Sequence, residues 1–307
     1  MKASPRALGA VLVYALIYAG SLVVLAGNPS FEAGESLGAL LIFGVLFAFV
    51  AWLATVGILP RQAPVRAPGR ETLAITGYLA LFAVVVLGWL FTTVRDAVTD
   101  GRAEDVAILA VKLVTMVALP AWLFTRFGYA WRELLGLHRF DGKHWRALAI
   151  MAVLLLALQL VVGQGPKRLA ALTQPTWLIA VAAPVALLWM TVEAGLTEEF
   201  LFRVLLQTRL SAWLRSDASG VVAMALLFAV AHAPGIVMRG QHVMEGMSSP
   251  PDPLTAVAYT IAVVSPIGIM FGVLWARTRS LLLLMLLHGW TDLVPNLAPF
   301  VQTWTAR

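Results

Sequence analysis

Residues 176–214 read TWLIAVAAPVALLWMTVEAGLTEEFLFRVLLQTRLSAWL. The first half is almost wholly apolar, and an apolar run near or above 18 residues is long enough to cross a bilayer. Glu193, Glu198 and Glu199 then stand inside that apolar context. Ionisable groups are costly in hydrocarbon, so they are kept there when they pair, line a wet cavity or do chemistry. The stretch reads either as one crossing or as a crossing helix followed by a second one broken near Gly195.

The same pattern recurs in both directions. Further apolar spans run over 7–26, 36–59, 72–94, 106–124, 147–163, 219–233, 254–276 and 280–299. Of the 307 residues 60% are hydrophobic and 12% charged, and the mean hydropathy is +0.86. A soluble domain sits near 45–50% apolar and about 25% charged, which excludes a soluble enzyme. The short alternating segments of a transmembrane β-barrel are missing. The expected fold class is therefore all-α: a polytopic helical membrane protein with eight to nine transmembrane helices and a polar intramembrane cavity. There is no cysteine, which excludes disulfides, thiolate metal sites and a Cys nucleophile.

Connections between spans are short and carry turn signals, such as Gly27-Asn28-Pro29, Asp100-Gly101 and Ser249-Pro250-Pro251. None is long enough to separate two soluble domains. Residues 1–175 are expected to form N-terminal transmembrane helices and residues 176–307 a catalytic transmembrane core. Lys2 and Arg6 precede the first span, which at about 20 residues exceeds a signal-peptide core of 7–15 and reads as a transmembrane helix. With the N-terminus inside, most Lys and Arg residues fall on the inside, Arg203 and Arg209 among them, which favours a cytoplasmic N-terminus. The basic loop 125–146, with Trp131 and Trp145, reads as an ordinary cytoplasmic loop or as an amphipathic interfacial helix.

The ionisable residues in or at the edge of spans are Lys112, Glu193, Glu198, Glu199, Arg203, His232, His288 and Asp292. A charge at the bilayer centre costs about 2.5–3.5 kcal/mol on insertion scales. Lys112 lies one or two turns inside its span and reads as snorkelling to the interface. Glu193 is a candidate for a supporting place in the same cavity as the later glutamates. Glu199 and Arg203 are four apart on a helix, in the favourable order for an ion pair. Glu198 is rotated from that pair by about 100°, which leaves it available as a general base or acid. His288 and Asp292 are again four apart, so Asp292 can orient or charge the imidazole. His138, His144 and His242 fall in expected loops, where a solvated side chain is the default.

Helix arithmetic lets these groups converge. From Glu198 to Leu214 is roughly 24 Å of helix, and from Gly220 back to His232 roughly 18 Å. An antiparallel hairpin turning at Arg215 to Ser219 brings Glu198 and His232 to similar depth, and His288 lies roughly 13 Å past Arg279. The H-E-x-x-H zinc helix, the G-x-S-x-G elbow and a pair of intramembrane aspartates are missing. Two His and a Glu leave zinc with an open fourth position as one reading. A metal-free site, where Glu198 and His232 activate water, is the other.

Glu198-Glu199-x-x-x-Arg203, then Phe228-x-x-x-His232, then His288-x-x-x-Asp292, resemble in order the motifs of the CAAX-protease and bacteriocin-processing (CPBP) family, which includes the Ras-converting CAAX prenyl endopeptidases. Gly268-x-x-x-Gly272 and Thr278 to Leu281 resemble its region before the last histidine. The resemblance covers about residues 185–296 and implies an intramembrane glutamic-type endopeptidase, for which a metalloprotease assignment also exists. It implies that Glu198 activates water, His232 assists, Glu199 and Arg203 give structural support, and His288 with its partner at 292 stabilises the oxyanion. This chain departs from the pattern at Asp292, where Asn is commonest, at Val204, where Gly is common, and at Arg279. A carboxylate cannot donate to an oxyanion unless protonated, so Asp292 reads better as an orienter of His288.

The expected function is hydrolysis of a peptide bond near or within the membrane, with no cofactor needed and zinc as the open alternative. Expected partners are the lipid bilayer and a membrane-anchored protein or peptide substrate, and no nucleic acid. A catalytically silent immunity or scaffold protein of the same fold and a proton-coupled transporter are the competing readings. The Ala-, Leu-, Val- and Arg-rich composition points to a prokaryotic cytoplasmic membrane.

Overall fold

The computed structural model describes residues 4–28, 31–60, 64–135, 140–239 and 252–305. Lys2, Pro29, His138, His242, Ser249, Pro250 and Pro251 lie outside them. Among the described residues all regular structure is helical. The helices are α1 (Pro5–Leu25), α2 (Ala33–Ala54), α3 (Pro68–Ala97), α4 (Gly101–Thr125), the short α5 (Trp131–Leu135), α6 (Gly142–Val162), the short α7 (Gly165–Ala170), α8 (Thr176–Leu214), α9 (Asp217–Arg239), α10 (Pro253–Thr278) and α11 (Leu281–Thr305). Nine of these are long and apolar enough to span a bilayer.

Local chemistry sets the ends. Ser4, Asp100, Asp141 and Asp252 accept backbone N–H bonds as N-caps of α1, α4, α6 and α10. Pro5 and Pro253 occupy first-turn positions, where a missing N–H costs nothing. Arg215 and Arg279 take left-handed backbone conformations, φ 52° and 50°, and stop α8 and α10.

α8 settles the alternative left open by the sequence. It runs unbroken for 39 residues. At Gly195 the helix widens instead of breaking, with i→i+5 turns over Thr191–Leu196 and again over Glu199–Gln207. Arg203 and Arg209 lie inside this helix, 0% and 2% exposed, so neither belongs to the loop charge that topology arguments rest on. His144 also departs from expectation. It is buried in the first turn of α6, where its ring and Asp141 form a reciprocal cap. Trp145 shares that turn, and α5 begins at Trp131.

The chain divides into two compact units. The first comprises residues 1–53, 59–90 and 202–279. Here α9 packs on α10 through Gly268 against Ala225 and Gly272 against Val221. Small residues allow such close approach where lipid offers no hydrophobic drive between helices. Tyr14 and Tyr18 of α1 hydrogen-bond Ser265 and the Ala262 carbonyl of α10. Arg209 and Glu71 form a buried ion pair at 3.1 Å, and Glu71 also accepts the N–H groups of Arg66 and Ala67 at the start of α3.

The second unit comprises residues 54–58, 91–201 and 280–307. Its apolar centre is Ala186, Leu297, Phe300 and Val301. Three glycines let α11 touch its neighbours at backbone distance. A methyl group on Gly195 would sit 2.5 Å from the Met285 carbonyl oxygen, one on Gly289 2.7 Å from the Thr191 nitrogen, and one on Gly165 2.6 Å from the Val294 oxygen. Two further bonds hold α11 to α6: Gln159 donates to the Thr291 carbonyl and Trp290 to the Ala152 carbonyl.

Candidate active site

The Gly195–Met285 and Gly289–Thr191 contacts bring α8 against α11 at the level of the carboxylates. His288, beside Gly289, therefore meets the Glu198-Glu199 pair directly. His288 Nδ1 lies 2.7 Å from Glu199 Oε1. A carboxylate only accepts, so the ring donates from Nδ1. This bond fixes the plane and the tautomer of the imidazole.

The opposite nitrogen, Nε2, faces two other carboxylates. Asp292 Oδ2 is 3.6 Å away and Glu198 Oε2 3.9 Å. Both are beyond direct hydrogen-bond length and within the span that a water bridges. Glu199 is fully buried, while Glu198 and His288 keep 16% and 12% of their side chains accessible. The inner carboxylate is thus the anchor and the outer one reaches the accessible side. Consecutive residues on an α-helix point about 100° apart. Here they reach the two edges of one ring, because the imidazole is wedged between them where the helix is widened.

Asp292, expected to orient His288, lies on the Nε2 side of the ring with Glu198, while Glu199 takes Nδ1. Arg203 and His232 belong to the first unit. The Arg203 guanidinium, 0% exposed, lies 4.4 Å from the Phe228 ring centroid and 5.8 Å from that of Phe271. His232 packs edge-on against the same Phe228 at 4.6 Å, and its Nδ1 is 2.7 Å from the Phe228 carbonyl. Nδ1 therefore donates and Nε2 is the nitrogen left for chemistry. Phe202 meets Phe228 at 5.0 Å and Ser211 meets Gly220, so the end of α8 and the start of α9 form the antiparallel hairpin that the sequence suggested.

Lys112 was read as snorkelling. Instead its ammonium pairs with the Glu193 carboxylate. Both are only partly accessible, and a partner within reach is a better solution for an ammonium than a path to the interface. The signal was in the sequence: two isolated opposite charges, each inside an apolar span. Nothing in it says that α4 and α8 are neighbours.

Among the described residues no three His, Asp or Glu side chains surround one point as metal ligands would.

Residues 180–294 match the family model described as Type II CAAX prenyl endopeptidase Rce1-like. The matched segment contains Glu198, Glu199, Arg203, His232, His288 and Asp292, and is consistent with the CPBP resemblance of the motifs. No curated protein and no solved structure matches the chain.

Proposed function

We propose that this chain is an intramembrane endopeptidase that hydrolyses a peptide bond of a membrane-anchored protein or peptide, using water activated by Glu198 and His232. The observation that carries the reading is His288, held at Nδ1 by buried Glu199 with Nε2 turned toward Glu198 and Asp292. A hydrolase needs a base, a bound water and a donor aimed at the developing oxyanion. Glu198 is the accessible carboxylate beside that donor, and the family match supports proteolysis as the reaction class.

In this mechanism water sits beside Glu198 and loses a proton to its carboxylate as oxygen attacks the scissile carbonyl carbon. The carbonyl π electrons move to oxygen, and His288, in its charged form, donates from Nε2 to that oxyanion. Glu198 then returns the proton to the leaving nitrogen as the C–N bond breaks. His232 assists by hydrogen-bonding the water, the role implied by the motif resemblance. Asp292 supports His288 through the Nε2 side, and Glu199 holds the ring. Arg203, stacked on Phe228, gives structural support. The proposed setting is a prokaryotic cytoplasmic membrane with the N-terminus inside.

The test compares membranes expressing wild type or Glu198→Ala at matched levels, by sequencing protein N- and C-termini. New termini only with wild type support the proposal and identify the substrate. Their survival in a chelator supports the glutamate route, and their loss favours a metal. Identical termini in both membranes, with a phenotype that survives the substitution, hand the protein to the scaffold reading.

A further inference from the structure

The proposed reaction uses Glu198, Glu199, His232, His288 and Asp292, and leaves unemployed a part-buried ion pair that lies next to them. Lys112 on α4 pairs with Glu193 on α8. Glu193 stands one widened turn before Glu198, and that turn is tied by the Thr197 hydroxyl donating to the Glu193 carbonyl. The field of the Lys112 ammonium reaches past Glu193 to Glu198 and Asp292. Asp292, 3.6 Å from His288 Nε2, in turn feels the charges of His288, Glu198, Glu193 and Lys112.

The charges explain why this matters. Glu193, Glu198, Glu199 and Asp292 stand in one part-buried region with His288 as the other basic group around them. Like charges at this density are strongly unfavourable away from water. His288 alone cannot offset them, and its two nitrogens are already turned to Glu199 on one edge and to Glu198 and Asp292 on the other. Lys112 is the cation placed to do so. It comes from a helix outside the segment that the family model covers.

We infer that Lys112 is a positioning residue of this site, whose ammonium holds Glu193 and offsets Asp292, so that Lys112 and Asp292 act as one coupled electrostatic unit. The inference rests on the protease reading for its effect on catalysis but not for the coupling itself. Lys112 touches no reacting atom. It acts through its ion pair with Glu193, one widened turn before Glu198, and through the positive charge this places beside the carboxylates around His288.

The experiment is a double-mutant cycle on the full chain in detergent, reading both thermal unfolding and cleavage of the substrate found by terminal sequencing. Lys112→Met and Asp292→Asn are each expected to reduce cleavage, and the double variant to recover at least roughly tenfold over the product of the single effects, within the range of coupling for contacting networks. Lys112→Arg keeps the charge and retains most activity. The acid limb of the cleavage profile moves to higher pH in Lys112→Met and stays in Lys112→Arg. The groups that face the ammonium are Glu193, Glu198 and Asp292, with His288, Glu199 and, beyond Glu193, Asp105 around them.

Independent, multiplying effects of Lys112→Met and Asp292→Asn, with full recovery in Lys112→Met/Glu193→Gln, overturn the inference and leave Lys112 as a counter-ion of Glu193 alone. Coupling in thermal unfolding without any cleavage by wild type keeps the inference and removes the protease reading. Cleavage without coupling does the reverse.

Discussion

His288 and Glu199 are 89 positions apart in sequence and 2.7 Å apart in space, joined Nδ1 to Oε1. The bond links the buried side of α8 to the middle of α11 and decides which edge of the imidazole looks outward. Replacing Glu199 by Ala leaves the ring free to rotate, and Glu199→Gln replaces one acceptor oxygen by a donor. Cleavage by Glu199→Gln is expected to fall by about 10²-fold, the size of effect seen when a group that orients a catalytic residue is lost. A thermal midpoint within a few degrees of wild type, together with that loss, separates orientation from unfolding. Near-normal cleavage would show that His288 does not depend on this bond.

Gly195 and Gly289 allow the helix contact that places this pair. Alanine at either position puts a methyl group 2.5 Å from the Met285 oxygen or within 2.8 Å of the Thr191 backbone. Backbone cannot yield as a side chain can, so overpacking here should cost about 1–3 kcal/mol or more and separate α8 from α11. Gly20 and Gly77 are the controls, since a methyl group on either meets nothing within 4 Å. Gly20→Ala and Gly77→Ala are expected to be neutral or slightly stabilising in detergent melts. Equal behaviour of all four variants would refute the packing argument.

The Glu71–Arg209 pair lies in the first unit, 0% and 2% exposed. Glu71→Ala strands a buried guanidinium and removes the acceptor for two backbone N–H groups. A loss of about 3–5 kcal/mol in unfolding free energy is expected, as for other broken buried pairs. Glu71→Met with Arg209→Met should recover much of it, because removing both charges also removes both desolvation costs. A double variant no better than Glu71→Ala would mean that the pair matters chiefly through the N–H groups it caps.

Asp252 gives a pH prediction outside the membrane spans. Hydrogen bonds from the Thr255 hydroxyl, and then from the Thr255 and Leu254 N–H groups, hold its carboxyl below the ordinary carboxylate value. A depressed folded value stabilises above the unfolded pKa of about 3.9 and is lost as pH falls through the folded one. The difference in thermal midpoint between wild type and Asp252→Ala should therefore be flat from about pH 7 to pH 5 and shrink toward pH 3. A difference that grows on acidification would contradict the assignment.

Much of this was legible in the sequence, for identifiable reasons. Apolar runs of about 20 residues have few stable alternatives to membrane helices, because the backbone must satisfy its own hydrogen bonds in lipid. The candidate site residues were visible for the complementary reason: a Glu, Asp or His inside an apolar span is expensive, so Glu198, Glu199, His232, His288 and Asp292 stand out one by one. Local spacing also gave the α8–α9 hairpin, since the turn at Arg215 and two short helix lengths fix its register.

Local spacing could not supply partners that come from another helix, or fix where a helix begins. Spacing of four put Asp292 beside His288, where it lies 3.6 Å from Nε2, but could not show that Nδ1 belongs to Glu199 on another helix. Lys112 was sent to the interface because no partner lies near it in sequence, yet Glu193 waits across the α4–α8 contact. His144 was left in a loop because a reciprocal cap with Asp141 depends on where α6 begins. The sequence by itself determined that the chain is helical, that it spans the membrane and which groups are costly enough to matter. Tertiary structure alone decided which of those groups meet. Helix–helix approach in a bilayer is set by small residues and backbone contact, as at Gly195 and Gly289, and those contacts fix side-chain geometry that helical periodicity cannot specify.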